Sequence, residues 1–341
     1  MNPAETRPLG QTGVRLTQMG FGGASIGELF VKVPEEDALA CLRAAWDAGI
    51  RYFDTAPWYG RGLSELRTGA GLRERPRDEF VLSTKVGRWL RAPADPARFT
   101  TAPWIGGNRF EVVFDYSYDG IMRAYEQSQL RLGLTRYDLA IIHDLDLLYH
   151  APEEKLATYF AQLAASGFRA LAELKTAGLI RGIGAGINAL ALIPRFLDLF
   201  EMDFFLVAMP YTLLHQDVLE DEFPRCVARG IGFVVGAVFS SGILATGATP
   251  GAHYNYAPAP PDILERVNKI EAVCTRHGVP IAAAALQFPL GHPSVASVIP
   301  GASRLGQVRR NVTAFEHPIP GALWTELKAE SLLRQDAPVP A

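Results

Sequence analysis

The sequence predicts a single α/β domain built as a (β/α)8 TIM barrel, and three observations predict it. Short apolar runs rich in β-branched and aromatic residues recur eight times at steady intervals. Most of these runs are continuous rather than alternating, as expected of parallel strands covered on both faces. Helix-like segments fall between them, and no Ser/Gly/Pro linker separates two cores within residues 1–341.

In chain order, residues 7–17 read as a small hairpin capping the bottom of the barrel. The strands are predicted at 16–23, 51–56, 80–86, 139–145, 180–186, 204–210, 232–239 and 295–301. The first helix opens on Pro34-Glu35-Glu36-Asp37, with proline and acids in its first turn, and ends at Gly49. Further helices are predicted at 64–73, 119–132, 168–176, 189–200, 218–228, 262–277 and 305–315. Several are followed by a glycine (Gly133, Gly178, Gly230, Gly278) suited to a C-cap. Two long irregular stretches, 92–107 and 247–261, follow strands 3 and 7, which puts both on the C-terminal face, where long loops carry function. Residues 330–341 read as a flexible tail.

Composition narrows the function. A net charge of −3 provides no basic field for nucleic acid or anionic membrane. Cys41, Cys226 and Cys274 are scattered, with no CxxC spacing, and read as buried free thiols. The N-terminus lacks a basic region followed by an apolar one, and no run of about eighteen apolar residues occurs. A cytoplasmic protein is expected, and the sequon at Asn311-Val312-Thr313 is then a chance match. Oligomeric state is not readable.

In a barrel, polar residues at the C-terminal ends of strands are the candidate site. Asp54 ends strand 2 and Tyr59 follows on its loop; Lys85 ends strand 3 and His143 ends strand 4. Neighbouring strands lie about 4.8 Å apart, so the four groups can converge. A lone histidine or lysine after an apolar run is more often a satisfied core residue, but four polar groups at equivalent strand ends are not.

The stretches Phe53-Asp54-Thr55-Ala56-Pro57-Trp58-Tyr59-Gly60, Ser83-Thr84-Lys85 and Ile142-His143-Asp144 resemble the signature of the aldo-keto reductases. The resemblance runs from about residue 7 to 311. Gly10 and Gly13, the segment Val113-Phe114-Asp115-Tyr116-Ser117-Tyr118-Asp119, and Phe239-Ser240-Ser241-Gly242-Ile243-Leu244 are similar to the bacterial aldose 1-dehydrogenase branch, which includes D-threo-aldose (L-fucose) and pyridoxal 4-dehydrogenases. The resemblance implies hydride transfer between NADP or NAD, with a lean to NADP, and a small sugar or aldehyde. A carbonyl that receives hydride develops charge on its oxygen and needs a proton donor; the resemblance gives that role to Tyr59, or that of base in the oxidative direction. A free tyrosine titrates near about pH 10, and the neighbouring Lys85 ammonium would favour its phenolate. Asp54 would pair with Lys85, and His143 would orient the substrate oxygen. Trp58, beside Tyr59, is a candidate to stack on a sugar face; Trp89 and Trp104 are weaker candidates for the same role. It also implies a cofactor site. Asn188 would hold the nicotinamide amide, with Gly22 and Asp54 nearby. Ser240, Ser241, Gly242 and Leu244 would face the pyrophosphate. Gly301, Ser303, Arg304, Gln307 and Asn311 would gather at a helix N-terminus, with Arg304 placed for a 2′-phosphate. Two positions depart from the wider family. Ala208 stands where many relatives have glutamine, and Phe239 lies near the place of the tyrosine that stacks on nicotinamide.

Three rival readings compete. Gly182-Ile183-Gly184-Ala185-Gly186-Ile187, with Asp203 about 20 residues on, is a partial dinucleotide fingerprint. His143, Asp144, Asp146, His150 and His215 suggest a metal site. However, Asp144 and Asp146 cannot both point inward with His143 on a regular strand, because side chains alternate, and Lys85 would repel a cation, so no metal is expected. A general NADPH-dependent aldehyde or ketone reductase, or a non-catalytic NADP-binding sensor of the same fold, are the remaining alternatives.

Overall fold

The eight apolar runs settle into one parallel sheet. In the computed structural model, which describes residues 1–255 and 257–341, its strands are β1 (Phe21–Gly22), β2 (Tyr52–Asp54), β3 (Val81–Val86), β4 (Leu139–Ile142), β5 (Gly182–Ile187), β6 (Phe204–Val207), β7 (Gly232–Val235) and β8 (Val295–Val298). Each pairs with its sequence neighbour. The ring closes where Gly20 N–H donates to Val298 C=O (2.8 Å), Gly22 N–H to Pro300 C=O (3.1 Å), and Val298 N–H to Gln18 C=O (2.9 Å). A Cβ on Gly22 would sit 2.7 Å from Ile299 O, so glycine permits this seam.

Alternation along each strand sorts residues to the inside or outside of the ring. Leu139, Ile141, Phe204, Leu206, Val234 and Ala296 share one buried cluster inside the barrel, whereas Ala140, Ile142, Phe205, Val207 and Val235 pack outward under the helices. The hairpin pairs Thr6–Pro8 with Arg15–Thr17 and contributes Leu9, Val14 and Leu16 to the inner cluster, plugging the N-terminal end as expected. The glycine run of the rival fingerprint is β5 itself rather than a loop after a strand. A Cβ on Gly184 would lie 2.5 Å from the Phe204 ring, so this glycine makes room for a bulky neighbour inside the barrel, not for a phosphate.

The outer layer is α1 (Glu35–Asp47), α2 (Leu63–Leu72), α3 (Tyr118–Leu132), α4 (Phe168–Thr176), α5 (Leu192–Leu199), α6 (Glu222–Val227), α7 (Ile281–Gln287) and α8 (Leu305–Glu316). Several boundaries differ from expectation. The first predicted strand divides, because Arg15–Thr17 pairs within the hairpin and only Phe21–Gly22 joins the barrel. The helix expected at 262–277 is present as Pro261–Arg276, but α7 follows it before β8. Helix α7 was not foreseen because its Ala-rich sequence is buried almost all round and shows no amphipathic period. A helix at Glu153–Gln162, joined to α4 through a π-turn, and another at Gly321–Ala329 were also unforeseen. So was the hairpin Arg88–Arg91/Glu111–Phe114, which flanks the irregular stretch after β3.

The segment 330–341, expected to be a flexible tail, packs against the barrel. Leu332, Leu333 and Ala337 are buried, and Arg334 pairs with Glu220 and Asp336. Gly291 lies so close beneath Pro338 and Val339 that a Cβ there would meet their backbone at 2.6 Å. No helix among the described residues is long and apolar enough to cross a membrane. The three cysteines are buried, and burial raises their thiols to about 11 (Cys41) and about 12 (Cys226, Cys274).

Candidate active site

The inward face of β2, β3 and β4 changes character along the barrel axis. Its inward positions read Tyr52 then Asp54, Val81 then Ser83 and Lys85, Leu139 then Ile141 and His143. Apolar residues occupy the bottom, and polar ones reach the C-terminal rim. This parity brings Asp54, Lys85 and His143 to one mouth.

Lys85 Nζ donates to Asp54 Oδ1 at 2.5 Å and to Thr55 C=O at 2.9 Å, and both side chains are 2% exposed. Ser83 Oγ also donates to Asp54 Oδ1 (2.6 Å), so Tyr52 OH, 3.0 Å from Ser83 Oγ, must be the donor there. Burial, reinforced by Asp54, holds that Tyr52 hydroxyl well above 10. The ion pair is thus the upper end of a buried polar column.

Tyr59 is set by the turn after β2, where its N–H donates to Ala56 C=O (3.1 Å). Gly27 and Gly60 face each other there. A Cβ on Gly60 would lie 2.6 Å from Gly27 O, and Gly60 also has φ +62, so glycine is required on both grounds. The Tyr59 ring lies 5.5 Å from Lys85 Nζ, 5.8 Å from the His143 ring and 5.9 Å from the Trp104 ring. Trp58 meets Trp104 edge-on (5.6 Å) and Tyr149 edge-on (6.5 Å). Trp104, a weaker candidate from the sequence, therefore lies at the site. Trp89 does not: it packs under the Arg123 guanidinium of α3.

His143 N–H donates to Val86 C=O (3.0 Å), and its own C=O accepts from Tyr116 OH (2.8 Å). Burial lowers its imidazole well below 6.5, so the ring is neutral at physiological pH. Its Nδ1 is buried without a partner, and Nε2 lies 3.3 Å from Asp144 Oδ2.

Asp144 and Arg88 belong to the site and were not foreseen as such. β4 ends at Ile142, and Asp144 adopts φ +46, which breaks the alternation and brings its carboxylate beside His143. Arg88, 1% exposed, forms an ion pair with Asp144 Oδ2 beneath the rings of Trp58, Phe114 and Tyr149. Burial alone would raise the Asp144 carboxyl, but His143, Arg88, the Asn188 hydrogen bond and Lys85 together lower it. Asn188 donates from Nδ2 to both Asp144 Oδ1 (2.9 Å) and Asp146 Oδ2 (2.8 Å). Asp146 also caps the short helix Leu147–His150, and His150 lies behind the site against Tyr116. The suspected metal cluster is therefore taken up by protein partners. Among the described residues no group of three or more His, Cys, Asp or Glu is placed to hold a metal ion. The sequence signal for Arg88 is a charge directly after Gly87, which follows β3 at φ +91.

The expected cofactor residues line the ends of β5, β7 and β8. Ser240, Ser241 and Gly242 run through three consecutive positive φ values (+45, +62, +102), and Ser240 Oγ is buried without a partner. Leu244 is buried behind them. Past β8, Gly301 pairs with Gly22, and Ser303 donates from N–H and Oγ to Gln307 Oε1 (2.8 and 3.1 Å). Asn311 Nδ2 donates to Gly301 C=O (3.4 Å), and Arg304 stands exposed at the N-cap position of the twelve-residue α8. These features fit a nicotinamide dinucleotide. They offer a turn of backbone amides, an orphaned hydroxyl and a helix N-terminus, all suited to phosphate. Asn188 has both amide hydrogens committed to carboxylates, which leaves its Oδ1 to accept from a carboxamide. Tyr211, the tyrosine after β6, is buried against Phe223 and Phe288, and Phe239 is half-buried beside Ser240.

The sequence profile of the Aldo/keto reductase family matches residues 18–330. The chain belongs to this family. It is 43% identical to a pyridoxal 4-dehydrogenase of Microbacterium luteolum, over 98% of this chain and 99% of the relative. It is 39% identical to a D-threo-aldose 1-dehydrogenase of a Pseudomonas species, over 94% and 96%. Among solved structures, an aldo-keto reductase of Bacillus halodurans in its holo form superposes with a TM-score of 0.70 at 26% identity, covering 97% of each chain. The chain is an NAD(P)-dependent oxidoreductase, as the resemblance in its sequence implied.

Proposed function

We propose that this reductase-family chain is an aldose 1-dehydrogenase that oxidises C1 of a cyclic aldose, or of a related hemiacetal such as pyridoxal, to a lactone. The observation that carries the reading is the buried Lys85–Asp54 pair set 5.5 Å from the Tyr59 ring, with His143 on the ring's other flank. The two relatives that are dehydrogenases of pyridoxal and D-threo-aldose support the substrate class.

Bound NAD(P) supplies the hydride acceptor or donor. Asn188 would hold its carboxamide through Oδ1, Ser240, Ser241, Gly242 and Leu244 its pyrophosphate side, and Ser303, Gln307 and Asn311 its adenosine end. Arg304 at the start of α8 favours NADP by pairing with a 2′-phosphate. Tyr59 takes the proton from the anomeric hydroxyl in oxidation and returns it in reduction. Lys85, held by Asp54 and the Thr55 carbonyl, presents positive charge to Tyr59 and favours its phenolate. Neutral His143 donates a hydrogen bond to the substrate oxygen, and Trp58 and Trp104 wall the sugar.

The test is initial-rate absorbance of reduced nicotinamide with NAD+ and NADP+ separately. The substrates are L-fucose, D-arabinose, L-galactose and pyridoxal, with simple aldehydes in the reductive direction. Turnover on the aldoses or pyridoxal that disappears in Tyr59→Phe, with cofactor affinity retained, is expected. Reduction of simple aldehydes without oxidation of any hemiacetal would replace this reading with a general reductase.

A further inference from the structure

The geometry points to Asp144 as a specificity-determining residue whose carboxylate accepts a hydrogen bond from a hydroxyl that the substrate carries next to its reacting carbon. This rests on the dehydrogenase reading above and names the substrate feature that the same site selects.

Position comes first. His143 Nε2, the group placed to meet the reacting oxygen, lies 3.3 Å from Asp144 Oδ2. A substrate whose C1 oxygen meets His143 therefore has its adjacent substituent within reach of that carboxylate. The position is built rather than incidental. Asp144 adopts φ +46, uncommon outside glycine, asparagine and aspartate. Two donors from different strand ends hold the turn: Arg88 after β3 on Oδ2 and Asn188 after β5 on Oδ1.

Capacity and access follow. A carboxylate has about four acceptor positions, and Arg88 and Asn188 occupy two. Arg88 is 1% exposed, whereas the Asp144 side chain keeps 11% exposure, so within the ion pair the carboxylate is the partner that a ligand can reach. The aromatic rings of Trp58, Phe114 and Tyr149 shield the guanidinium behind it.

The chemistry selects the ligand. An ionised carboxylate accepts and cannot donate. It rewards a hydroxyl beside the reacting carbon, does nothing for a methylene, and repels the lone pairs of a second carbonyl. An aldose, with its C2 hydroxyl, fits; a 2-deoxy aldose lacks the donor; a 2-oxoaldehyde presents the wrong group.

The test compares kcat/KM for matched pairs in the oxidative direction: L-fucose against 2-deoxy-L-fucose, and D-arabinose against 2-deoxy-D-erythro-pentose. Intrinsic reactivity differs within each pair, so the readout is the change in the hydroxy/deoxy ratio on mutation. The ratio is expected to be about 10- to 100-fold in the wild-type enzyme, the range of a hydrogen bond to a charged group. In Asp144→Asn it should fall at least about fivefold, toward the value of a neutral hydrogen bond. Asp144→Asn leaves Arg88 buried without its counter-charge. The pair Asp144→Asn with Arg88→Met, which removes both charges together, provides a second variant with the same expectation. A purely structural role for Asp144 would lower both substrates alike and leave the ratio standing, which overturns the inference. If no hemiacetal or carbonyl is turned over at all, the dehydrogenase reading fails and this inference falls with it; turnover of pyridoxal, which has no hydroxyl on the carbon beside the reacting one, without turnover of any aldose, or turnover of aldoses with an unchanged ratio, removes the inference alone.

Discussion

Removing one charge of the buried Lys85–Asp54 pair should cost stability that removing the second charge restores, while activity stays lost throughout. Both side chains are 2% exposed, and their contact of 2.5 Å is supported by Ser83 and by the Thr55 carbonyl. Taking two charges from water costs several kcal/mol each, which their attraction and these hydrogen bonds offset. Asp54→Asn keeps the shape and the acceptor for Ser83 but leaves the Lys85 ammonium buried without its counter-charge. Breaking such a pair costs about 3–5 kcal/mol; the lower figure suits this variant, because the Ser83 hydroxyl and the Thr55 carbonyl still hold the two side chains. For 341 residues the unfolding entropy is about 0.7 kcal/mol/K, so about 3 kcal/mol lowers Tm by about 4 °C. Lys85→Met should cost a similar amount for the converse reason. The double variant has no buried charge and should return to within about 1 kcal/mol of wild type. Calorimetry or fluorescence-monitored melting of the four proteins reads the effect, with turnover measured in parallel. A double variant that falls by the sum of the two singles would refute the argument, since it would show that each side chain contributes by packing rather than through the pair.

Three further outcomes follow from the structure. Arg304→Ala should raise the KM for NADP+ about tenfold, roughly the worth of one charge-assisted contact, and leave the KM for NAD+ within twofold of about unchanged; equal effects on both cofactors would remove Arg304 from the 2′-phosphate. Burial pushes His150 and His292 down to about 4 and His143 well below 6.5, so the unfolded chain takes up their protons first. Stability should be flat above about pH 7 and fall as pH drops from about 6.5 toward 4, by up to about 3 kcal/mol each for His150 and His292. Urea midpoints across that range check the fall, which His292→Phe should make shallower; an unchanged slope in that variant contradicts the assignment. Gly69→Ala would place a Cβ 2.2 Å from Leu132 O at the α2–α3 contact. It should destabilise by about 1–3 kcal/mol through overpacking, and a thermal melt at or above the wild-type Tm would show that the helices can separate at little cost.

The strand count and the ordering of the sheet were legible because both depend on composition over whole runs. Continuous apolar runs mark strands buried on both faces, and all eight were found where such runs occur. What escaped notice has a local cause in each case. Helix α7 is buried on nearly every side, so it lacks the polar face by which helices are read. The hairpin Arg88–Arg91/Glu111–Phe114 brackets a stretch of nineteen residues, 92–110, and pairing across such a gap leaves no trace in either strand alone. The prolines of the tail suggest a loose segment, yet Leu332, Leu333 and Ala337 give it an apolar side that the barrel covers.

The candidate site divides along the same line. Asp54, Lys85 and His143 were readable because alternation on a regular strand carries side chains to the mouth, and parity alone places Ser83 and Lys85 on the face of Tyr52 and Asp54. Asp144 was set aside by that same rule, since a residue next to His143 must point away from the mouth on a regular strand. The rule fails because β4 ends at Ile142 and one positive φ turns Asp144 back. Aspartate tolerates such a turn, and the residues that hold it come from 56 residues before it and 44 after it, Arg88 and Asn188. No window of sequence contains all three. The residue that pattern reasoning excludes from the site is the one the fold holds there with a buried arginine and a half-buried asparagine, which is the physical ground for assigning it a task that the four strand-end residues do not perform.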